Sequence, residues 1–330
     1  MISFQILSIV EFRARFSESF GIDRDEFSFY QIVNKNLKIK TFVIVAFEGV
    51  VPLTALTFQG KRFGVFWVYG APLIGSFTPR CQVFWSSESI SVEYESSLLN
   101  QLKRYLEKNF CVFLNVINRA DCIESYDTNK DDFLISRGTY FVDLKRTKEC
   151  IWSSFEGRAR TAVRKAEKNN VFVRSISKGA SNDIDMAISL IQESFLARGS
   201  KTKHPIQFYE DLLKGLVDQS VPGLLLSAEI RGEQIAVAAF LKFDSDLVYV
   251  AGGATSQAKK LGAPSLLIWK GIALADSCHR LDLGGVGIES IDKFKASFGG
   301  EICERYVKLS GWLPVSWASR GFGWLLKNLN

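Results

Sequence analysis

In the first half of the chain, residues 42–69 consist of successive apolar runs, each of the length of a β-strand. Turn signals at Glu48-Gly49 and Gly60-Lys61 separate runs that are rich in β-branched and aromatic residues. This alternation is typical of hairpins and predicts a three-stranded meander. The elements predicted here are strands over residues 42–47, 51–58 and 63–69, a Pro-, Gly- and Ser-rich loop over residues 70–88, a helix over residues 89–108 and a strand over residues 110–117.

The same order of elements returns in the second half of the chain. Gly49 and Gly232 are 183 positions apart, and so are Gly70 and Gly253. Two shared offsets predict a duplicated α/β unit, with a boundary near residues 142–148. The elements predicted here are helices over residues 184–197 and 206–217, strands over residues 224–230, 235–243 and 247–251, and a helix over residues 264–275.

A short basic helix is predicted between the two halves, over residues 158–170. Its apolar positions form a thin stripe, and its cations recur at four-residue spacing. Cations that stack without acidic partners repel one another, and a bound anion would relieve that repulsion. A solvated helix face is the alternative, and the pattern leaves both open. The apolar positions are Ala159, Ala162, Val163 and Ala166. The cations at four-residue spacing are Arg160, Arg164 and Lys168, and Arg158 and Lys165 add to the charge.

Composition places the chain among globular proteins of two domains. It has 330 residues, of which 47% are hydrophobic and 23% charged, and a formal net charge of +6. That mild excess permits an anionic partner such as a nucleotide, tRNA or a phospholipid surface. The six cysteines form no C-x-x-C pair, and only two histidines occur. We therefore expect no metal site, no Ser-His or Cys-His hydrolysis and reduced thiols of the cytoplasm.

A candidate anion-binding turn follows the strand at residues 247–251. Small residues lead into Lys259-x-x-Gly262, and the helix predicted from Pro264 begins there. Backbone N–H groups and the positive dipole at a helix start suit a phosphate or an oxyanion, so Lys259 and Gly262 are candidate ligands. Pro264 has no N–H to donate, and proline is also an ordinary first residue of a helix.

Several segments, taken in order, resemble the FemAB-type transferases, which include BioF2-like acetyltransferase domains. They are residues 155–168, the strand with Tyr249, the turn Asp282-Leu283-Gly284-Gly285, and Phe294-Lys295-x-x-Phe298-Gly299. The resemblance implies an α/β (α+β) chain of two tandem GNAT-like (acyl-CoA N-acyltransferase) domains, each a mixed, mainly antiparallel sheet flanked by helices. It implies an N-terminal domain over residues 1–145 and a C-terminal domain over residues 146–330, which includes the joining helix 157–170. The long helical arm of some members has no room between residues 182 and 223.

The resemblance also implies a reaction and roles for particular residues. An acyl or aminoacyl group would pass to an amine of a cell-envelope precursor through a tetrahedral intermediate, without a protein nucleophile. The precursor would be an amino sugar, a lipid- or nucleotide-linked intermediate, or a peptidoglycan stem peptide. Lys295 would stabilise the oxyanion, Asp282 would orient the amine or accept its proton, and Tyr249 would position the acceptor. Arg160 and Arg164, with Lys165, would bind phosphates.

Structural readings stand beside these roles. Lys295 could be a surface lysine between two buried phenylalanines, Asp282 a loop cap, and Tyr249 a core aromatic. No permanently bound cofactor is expected, since acyl-CoA or aminoacyl-tRNA would be a co-substrate. A tRNA-dependent peptidoglycan bridge aminoacyltransferase and a catalytically inactive GNAT-like binding module are the alternatives.

No signal peptide or membrane span is recognised in the sequence, so we expect a cytoplasmic protein. The aromatic segment at residues 314–329 is predicted to be a helix. It would pack on its own domain or touch the inner face of the membrane peripherally.

Overall fold

The structure of the protein, a computed structural model, consists of two compact units. Residues 1–137 and 304–330 form the first unit, and residues 138–303 form the second. The residues that the structure describes are 2–22, 27–63, 66–70, 78, 82–86, 101, 105, 112–116, 133–197, 199, 202 and 204–311. The predicted helices at residues 89–108 and 314–329 lie almost wholly or wholly outside this part of the chain.

An antiparallel meander followed by a parallel strand forms the sheet of the first unit. Its strand order is β1-β2-β3-β4-β6-β13, with β5 also pairing with β3. Strand β6 is parallel to β4 and antiparallel to β13. The elements are β1 (Ile2–Ser8), α1 (Ile9–Phe16), α2 (Ser28–Leu37), β2 (Lys40–Glu48), β3 (Val51–Phe63), β4 (Phe66–Gly70), β5 (Val83–Trp85), β6 (Val112–Val116) and β13 (Glu301–Gly311).

The second unit repeats this arrangement with its own strands. Its order is β8-β9-β10-β11-β12-β7, in which β12 is parallel to β11 and antiparallel to β7. The elements are β7 (Phe133–Asp143), α3 (Lys148–Ser154), α4 (Gly157–Lys168), β8 (Phe172–Ser175), α5 (Ser181–Leu196), α6 (Ile206–Val217), β9 (Gly223–Ile230), β10 (Glu233–Phe243), β11 (Asp246–Ala254), α7 (Ser256–Leu261), α8 (Ala263–Ala273), β12 (Arg280–Gly285) and α9 (Glu289–Ala296).

The turns that suggested a duplication occupy equivalent places in the two sheets. Gly49 links β2 to β3 with φ +62°, and Gly232 links β9 to β10 with φ +81°. Positive φ is costly for other residues, which explains glycine at both turns. The predicted duplication of an α/β unit is confirmed by the matching strand orders.

The division of the chain differs from the expected boundary at residues 145 and 146. Strand β7 precedes the boundary in sequence, but from Gly138 onward it belongs to the second unit, where it pairs with β12. Strand β13 comes near the end of the chain, but from Glu304 onward it belongs to the first unit, where it pairs with β6. Sequence order alone cannot show these assignments, because strand pairing depends on contacts that are distant along the chain.

Two local predictions in the first unit are wrong. The expected turn at Gly60-Lys61 lies within β3, because Gly60 pairs with Lys40 on one side and with Tyr69 on the other. Ladder hydrogen bonds on both sides thus override the turn preference of glycine. The expected loop over residues 70–88 contains the short strand β5, which pairs with β3 at Leu56.

Each unit has its own apolar core. In the first unit Phe12, Phe27 and Phe84 pack with ring centroids 5.6–6.1 Å apart. In the second, α4 and α8 cover one face of the sheet, and Val163, Phe240 and Leu266 are almost fully buried there. Within the described residues, no helix is long and apolar enough to cross a membrane.

Candidate active site

Strands β11 and β12 are hydrogen-bonded to each other over a short distance only. Their parallel register runs from Asp246 opposite Arg280 to Val248 opposite Asp282, and no further pair joins them in the described part of the chain. Both strands continue, β11 to Ala254 and β12 to Gly285. Their carboxyl-terminal halves are therefore not paired with each other, and ligands of open α/β sheets bind at such ends.

Tyr249 lies on β11 beside a bulge. Ala239 pairs with Ala251, while the next residue, Phe240, pairs with Tyr249, so β11 carries one extra residue there. The bulge brings Tyr249 and Gly252 onto one face of the strand. A Cβ atom on Gly252 would lie 1.8 Å from the Tyr249 hydroxyl oxygen, so the Tyr249 side chain lies directly over Gly252 and would have to move if a larger residue stood there. The role of Tyr249 in positioning an acceptor stays a prediction.

Asp282 holds the turn at the end of β12. Its side chain is 3% exposed, and its Oδ1 accepts hydrogen bonds from Thr139 Oγ1 at 2.6 Å and from the Gly284 N–H at 2.7 Å. Gly284 has φ +84°, a conformation that favours glycine. This contact gives Asp282 the loop-capping role. A part in amine binding or proton transfer is not tested by the structure.

Lys295 is buried, so the surface-lysine reading of this residue is wrong. It is 8% exposed, and its Nζ donates to the Gly285 carbonyl oxygen at 2.6 Å. The same Nζ would lie 3.5 Å from a Cβ atom on Gly284. Phe298 anchors the helix because its ring packs edge-to-face on Phe294 at 5.0 Å and on Phe155 at 5.2 Å. We call Tyr249, Asp282, Gly284 and Lys295 the Gly284 cluster, since the Lys295 ammonium, the Tyr249 carbonyl and the Asp282 carboxylate all adjoin Gly284.

Helix α4 confirms the predicted joining helix and carries its cations in two different environments. Arg160 is half-buried and donates from Nη1 to the carbonyl oxygens of Ser153, at 3.1 Å, and Phe155. It thus ties α4 to the preceding helix. Arg164 is exposed, and its guanidinium carbon lies 5.6 Å from the centroid of the Trp152 ring. Phosphate binding by either residue stays a prediction, and the more exposed Arg164 is the better placed of the two.

The turn between α7 and α8 packs directly against α4. Gly262 has φ +86°, and a Cβ atom there would lie 2.2 Å from the Ala162 carbonyl oxygen. Its N–H bonds to carbonyls of α7, including that of Lys259 at 3.2 Å. Gly262 is therefore explained by close packing, and its N–H is directed to the chain itself. Lys165 and Lys259 are exposed and lie one turn from this contact on their respective helices.

Thr139 is a hydrogen-bond partner of the Gly284 cluster that the sequence does not indicate. It is 1% exposed and lies 143 positions from Asp282 in the chain. No local signal connects the two residues, because only the pairing of β7 with β12 brings them together.

The sequence matches one protein family in the region that contains this cluster. A family model described as an acetyltransferase (GNAT) domain matches residues 153–296. That range includes α4, the ends of β11 and β12, and Lys295. A comparison with curated proteins gave no match.

Solved structures resemble the chain along nearly its whole length. FemX has a TM-score of 0.66 at 12% identity, covering 96% of this chain and 99% of FemX. L-PGS from Bacillus licheniformis has a TM-score of 0.54 at 14% identity, covering 94% of both chains. A C-terminal domain assigned to a lysylphosphatidylglycerol synthetase of Agrobacterium fabrum has a TM-score of 0.51 at 12% identity, covering 91% of this chain and 92% of that domain.

These likenesses confirm the fold class that the sequence predicted, an α/β chain of two tandem GNAT-like domains. They also agree with the repeated strand order of the two units. Residues 153–296 thus match the acetyltransferase (GNAT) domain family, and the chain as a whole has the fold of FemX, with two tandem GNAT-like units.

Proposed function

We propose that this protein transfers an acyl or aminoacyl group to an amine of a cell-envelope precursor. The acetyltransferase domain supports acyl transfer. The fold shared with FemX and with a lysylphosphatidylglycerol synthetase domain supports an envelope acceptor. The observation that carries the proposal is the buried Lys295 ammonium. It lies beside the carboxyl-terminal ends of β11 and β12, where these parallel strands are no longer hydrogen-bonded to each other.

The reaction forms a C–N bond and breaks the bond between the acyl group and its carrier. The amine nitrogen attacks the carbonyl carbon, and the carbonyl electron pair moves onto oxygen. Lys295 places a positive charge beside this developing oxyanion. A preorganised donor of this kind contributes about 3–4 kcal/mol to transition-state stabilisation. Collapse of the intermediate expels the carrier as a thiol or a hydroxyl.

The other residues of the Gly284 cluster bind and position. Asp282 fixes the Gly284 turn, whose neighbour Gly285 accepts the Lys295 hydrogen bond. Tyr249 lies beside the bulge in β11, where it would contact the acceptor. Holding the two substrates together contributes several kcal/mol more, on the order of 7 kcal/mol in well-oriented cases.

The exposed cations of the second unit supply a site for phosphates. Arg164 and Lys165 on α4, and Lys259 on α7, are exposed and lie on elements that pack together at Gly262. Both acyl-CoA and aminoacyl-tRNA bring phosphate groups to the enzyme, as does a nucleotide- or lipid-linked acceptor. Arg164 offers a planar fork of donors that suits such groups.

Replacing Lys295 tests the proposal. With a donor and acceptor that the wild type joins, Lys295→Ala should lower kcat by about 100–1000-fold, because one oxyanion donor is lost. Lys293→Ala is the matched control, since Lys293 is exposed on the same helix and pairs with Glu289 at 2.5 Å. Single-turnover rates of both variants would be measured beside their melting temperatures. A folded Lys295→Ala variant that keeps kcat within about threefold of wild type would refute the oxyanion role.

A tRNA carrier is the second candidate for the donor, because exposed cations recur along α4 without a matching acid at each turn. Coenzyme A and total tRNA separate the two donors. A carrier present at 100 times its Kd stabilises the folded protein by about 2.7 kcal/mol. Stabilisation by tRNA that declines steeply with salt would indicate the aminoacyl route. A chain that binds neither carrier would instead be an inactive binding module.

A further inference from the structure

A second carboxylate lies on the helix that carries Lys295. Asp292 belongs to the first turn of α9 and precedes Lys295 by three positions, so both side chains leave the same face of the helix. Its Oδ2 accepts the N–H of Gly287 at 2.9 Å. Its Oδ1 is buried and has no hydrogen-bond partner among the described residues.

The backbone around this oxygen is held in place from two sides. Asp292 fixes the Gly287 N–H, and Lys295 fixes the Gly285 carbonyl oxygen at 2.6 Å. Gly287 has φ +141°, which other residues rarely adopt. The loop after β12 is thus fastened to α9 at both ends. A buried acceptor without a donor costs free energy, and native structures contain few of them. A fixed and unfilled acceptor suits an N–H group that a ligand brings.

The charged groups nearby have other contacts. Glu289 pairs with Lys293 at 2.5 Å on the outer face of α9. From α4, Arg158 donates to the Lys293 carbonyl oxygen at 2.6 Å and pairs with Glu156 at 2.7 Å. From β12, Asp282 Oδ1 already accepts two hydrogen bonds. Asp282 and Asp292 are the two carboxylates beside Gly285, and of these Asp292 has a buried oxygen without a hydrogen-bond donor among the described residues.

The geometry points to Asp292 as the residue that binds the acceptor amine and takes its proton, an inference that rests on the proposed transferase function. The acceptor ammonium donates an N–H to Oδ1 and passes that proton to it. The neutral amine then forms the C–N bond. Its nitrogen loses a second proton, which leaves with the carrier as the C–S or C–O bond breaks. The proton on Asp292 passes to solvent, and the carboxylate is restored.

Asp292→Asn removes the charge but keeps an oxygen that can accept the Gly287 N–H. In this variant kcat/KM for the acceptor should fall at least about 100-fold, because a general base contributes that much. The KM for the donor should be unchanged. Asp276→Asn is the matched control, because Asp276 is an exposed acid of the same unit.

Binding of simple amines tests the site without turnover. L-lysine amide and D-glucosamine would be titrated into the wild type and both variants, with detection by saturation-transfer NMR. At least tenfold weaker binding by Asp292→Asn alone supports the inference. Weaker amine binding by Asp292→Asn supports the inference even if no donor gives turnover. Absence of turnover with every donor would count against the proposed function only. Binding of neither amine to the wild type, equal binding by all three proteins, or an unchanged kcat/KM for the acceptor in Asp292→Asn would overturn it.

Discussion

Tyr209, on α6, is 2% exposed and packs edge-to-face on Phe208, with ring centroids 5.6 Å apart. Burial raises the pKa of its hydroxyl to about 12, because a phenolate would lose its hydration there. In the unfolded chain the same group titrates near pH 10. The folded state therefore binds this proton more tightly than the unfolded state does. The tighter binding contributes in full to the free energy of unfolding only at pH values where the unfolded tyrosine is still protonated.

Alkaline unfolding should reveal this tyrosine. Its contribution is fully present below pH 10 and is lost as pH rises through the folded pKa, so wild type should lose about 1.4 kcal/mol relative to Tyr209→Phe by pH 11. Urea unfolding of both proteins between pH 8 and pH 11 measures the difference. Free energies of unfolding that run parallel over the whole range would contradict the expectation.

At this scale the sequence identifies residues within short motifs more readily than their partners. Lys295 and Asp282 could be selected as candidates, because each belongs to a motif of a few adjacent residues. The burial of Lys295 could not, since it depends on where α9 packs. Thr139 and Asp292 carry no local signal in the sequence. Thr139 reaches Asp282 only through the pairing of their strands, and Asp292 is distinguished only by a buried oxygen that lacks a hydrogen-bond donor among the described residues.

Among the elements, α4 shows how one helix can serve both packing and surface chemistry. Its inner face buries Ala159, Val163 and Ala166, and the neighbouring Ala162 receives the α7–α8 turn. Its outer face exposes Arg164 and Lys165. The inner contacts fix the orientation of the helix and hence of the cations on the opposite face.

Gly262→Ala tests this contact. The new Cβ would meet the Ala162 carbonyl oxygen at 2.2 Å in a left-handed conformation, so backbone strain and overpacking combine. We expect a loss of about 3 kcal/mol or more in the free energy of unfolding. Gly179→Ala is the control, because Gly179 has φ +91° and nothing within 4 Å of its Cβ position. The control should lose about 1 kcal/mol in urea unfolding. Equal losses would show that the α4 contact is unimportant.

Periodicity explains which elements the sequence could predict. Helix α6 matches its predicted range, and α4 differs from its prediction by one or two residues at each end, because amphipathic spacing is a local property. Helix α7 was missed. Thr255 caps it through the Ala258 N–H at 3.0 Å, and Gly262 ends it after six residues. So short a helix has too few apolar positions to produce a period.

In the whole molecule, each unit is completed by a strand from a distant part of the sequence. The segment from Glu304 supplies the partner of β6, and the segment from Gly138 supplies the partner of β12. The sequence predicts two similar domains, one after the other, because the spacing of the turn glycines repeats. The assignment of residues from Glu304 onward to the first unit was not visible, because it changes neither the hydrophobic pattern nor the turn signals.

Truncation tests the completion of the first unit. Removal of residues 304–330 should expose the hydrogen-bonding edge of β6, since its partners from Val307 to Gly311 are lost. Hydrogen exchange of β4 and β6 should then accelerate by at least about tenfold, while β10 in the second unit retains its protection. A chain ending at residue 311 keeps β13 and is the control. Equal protection in both truncated chains would contradict the assignment.

The late position of β13 also affects how the chain folds during synthesis. Ribosomes release residues in order, and domains generally fold as they emerge. The first unit, however, lacks its last strand until residues beyond 304 have been translated. The nascent protein should therefore carry an open β6 edge from the time β6 emerges until β13 has followed it.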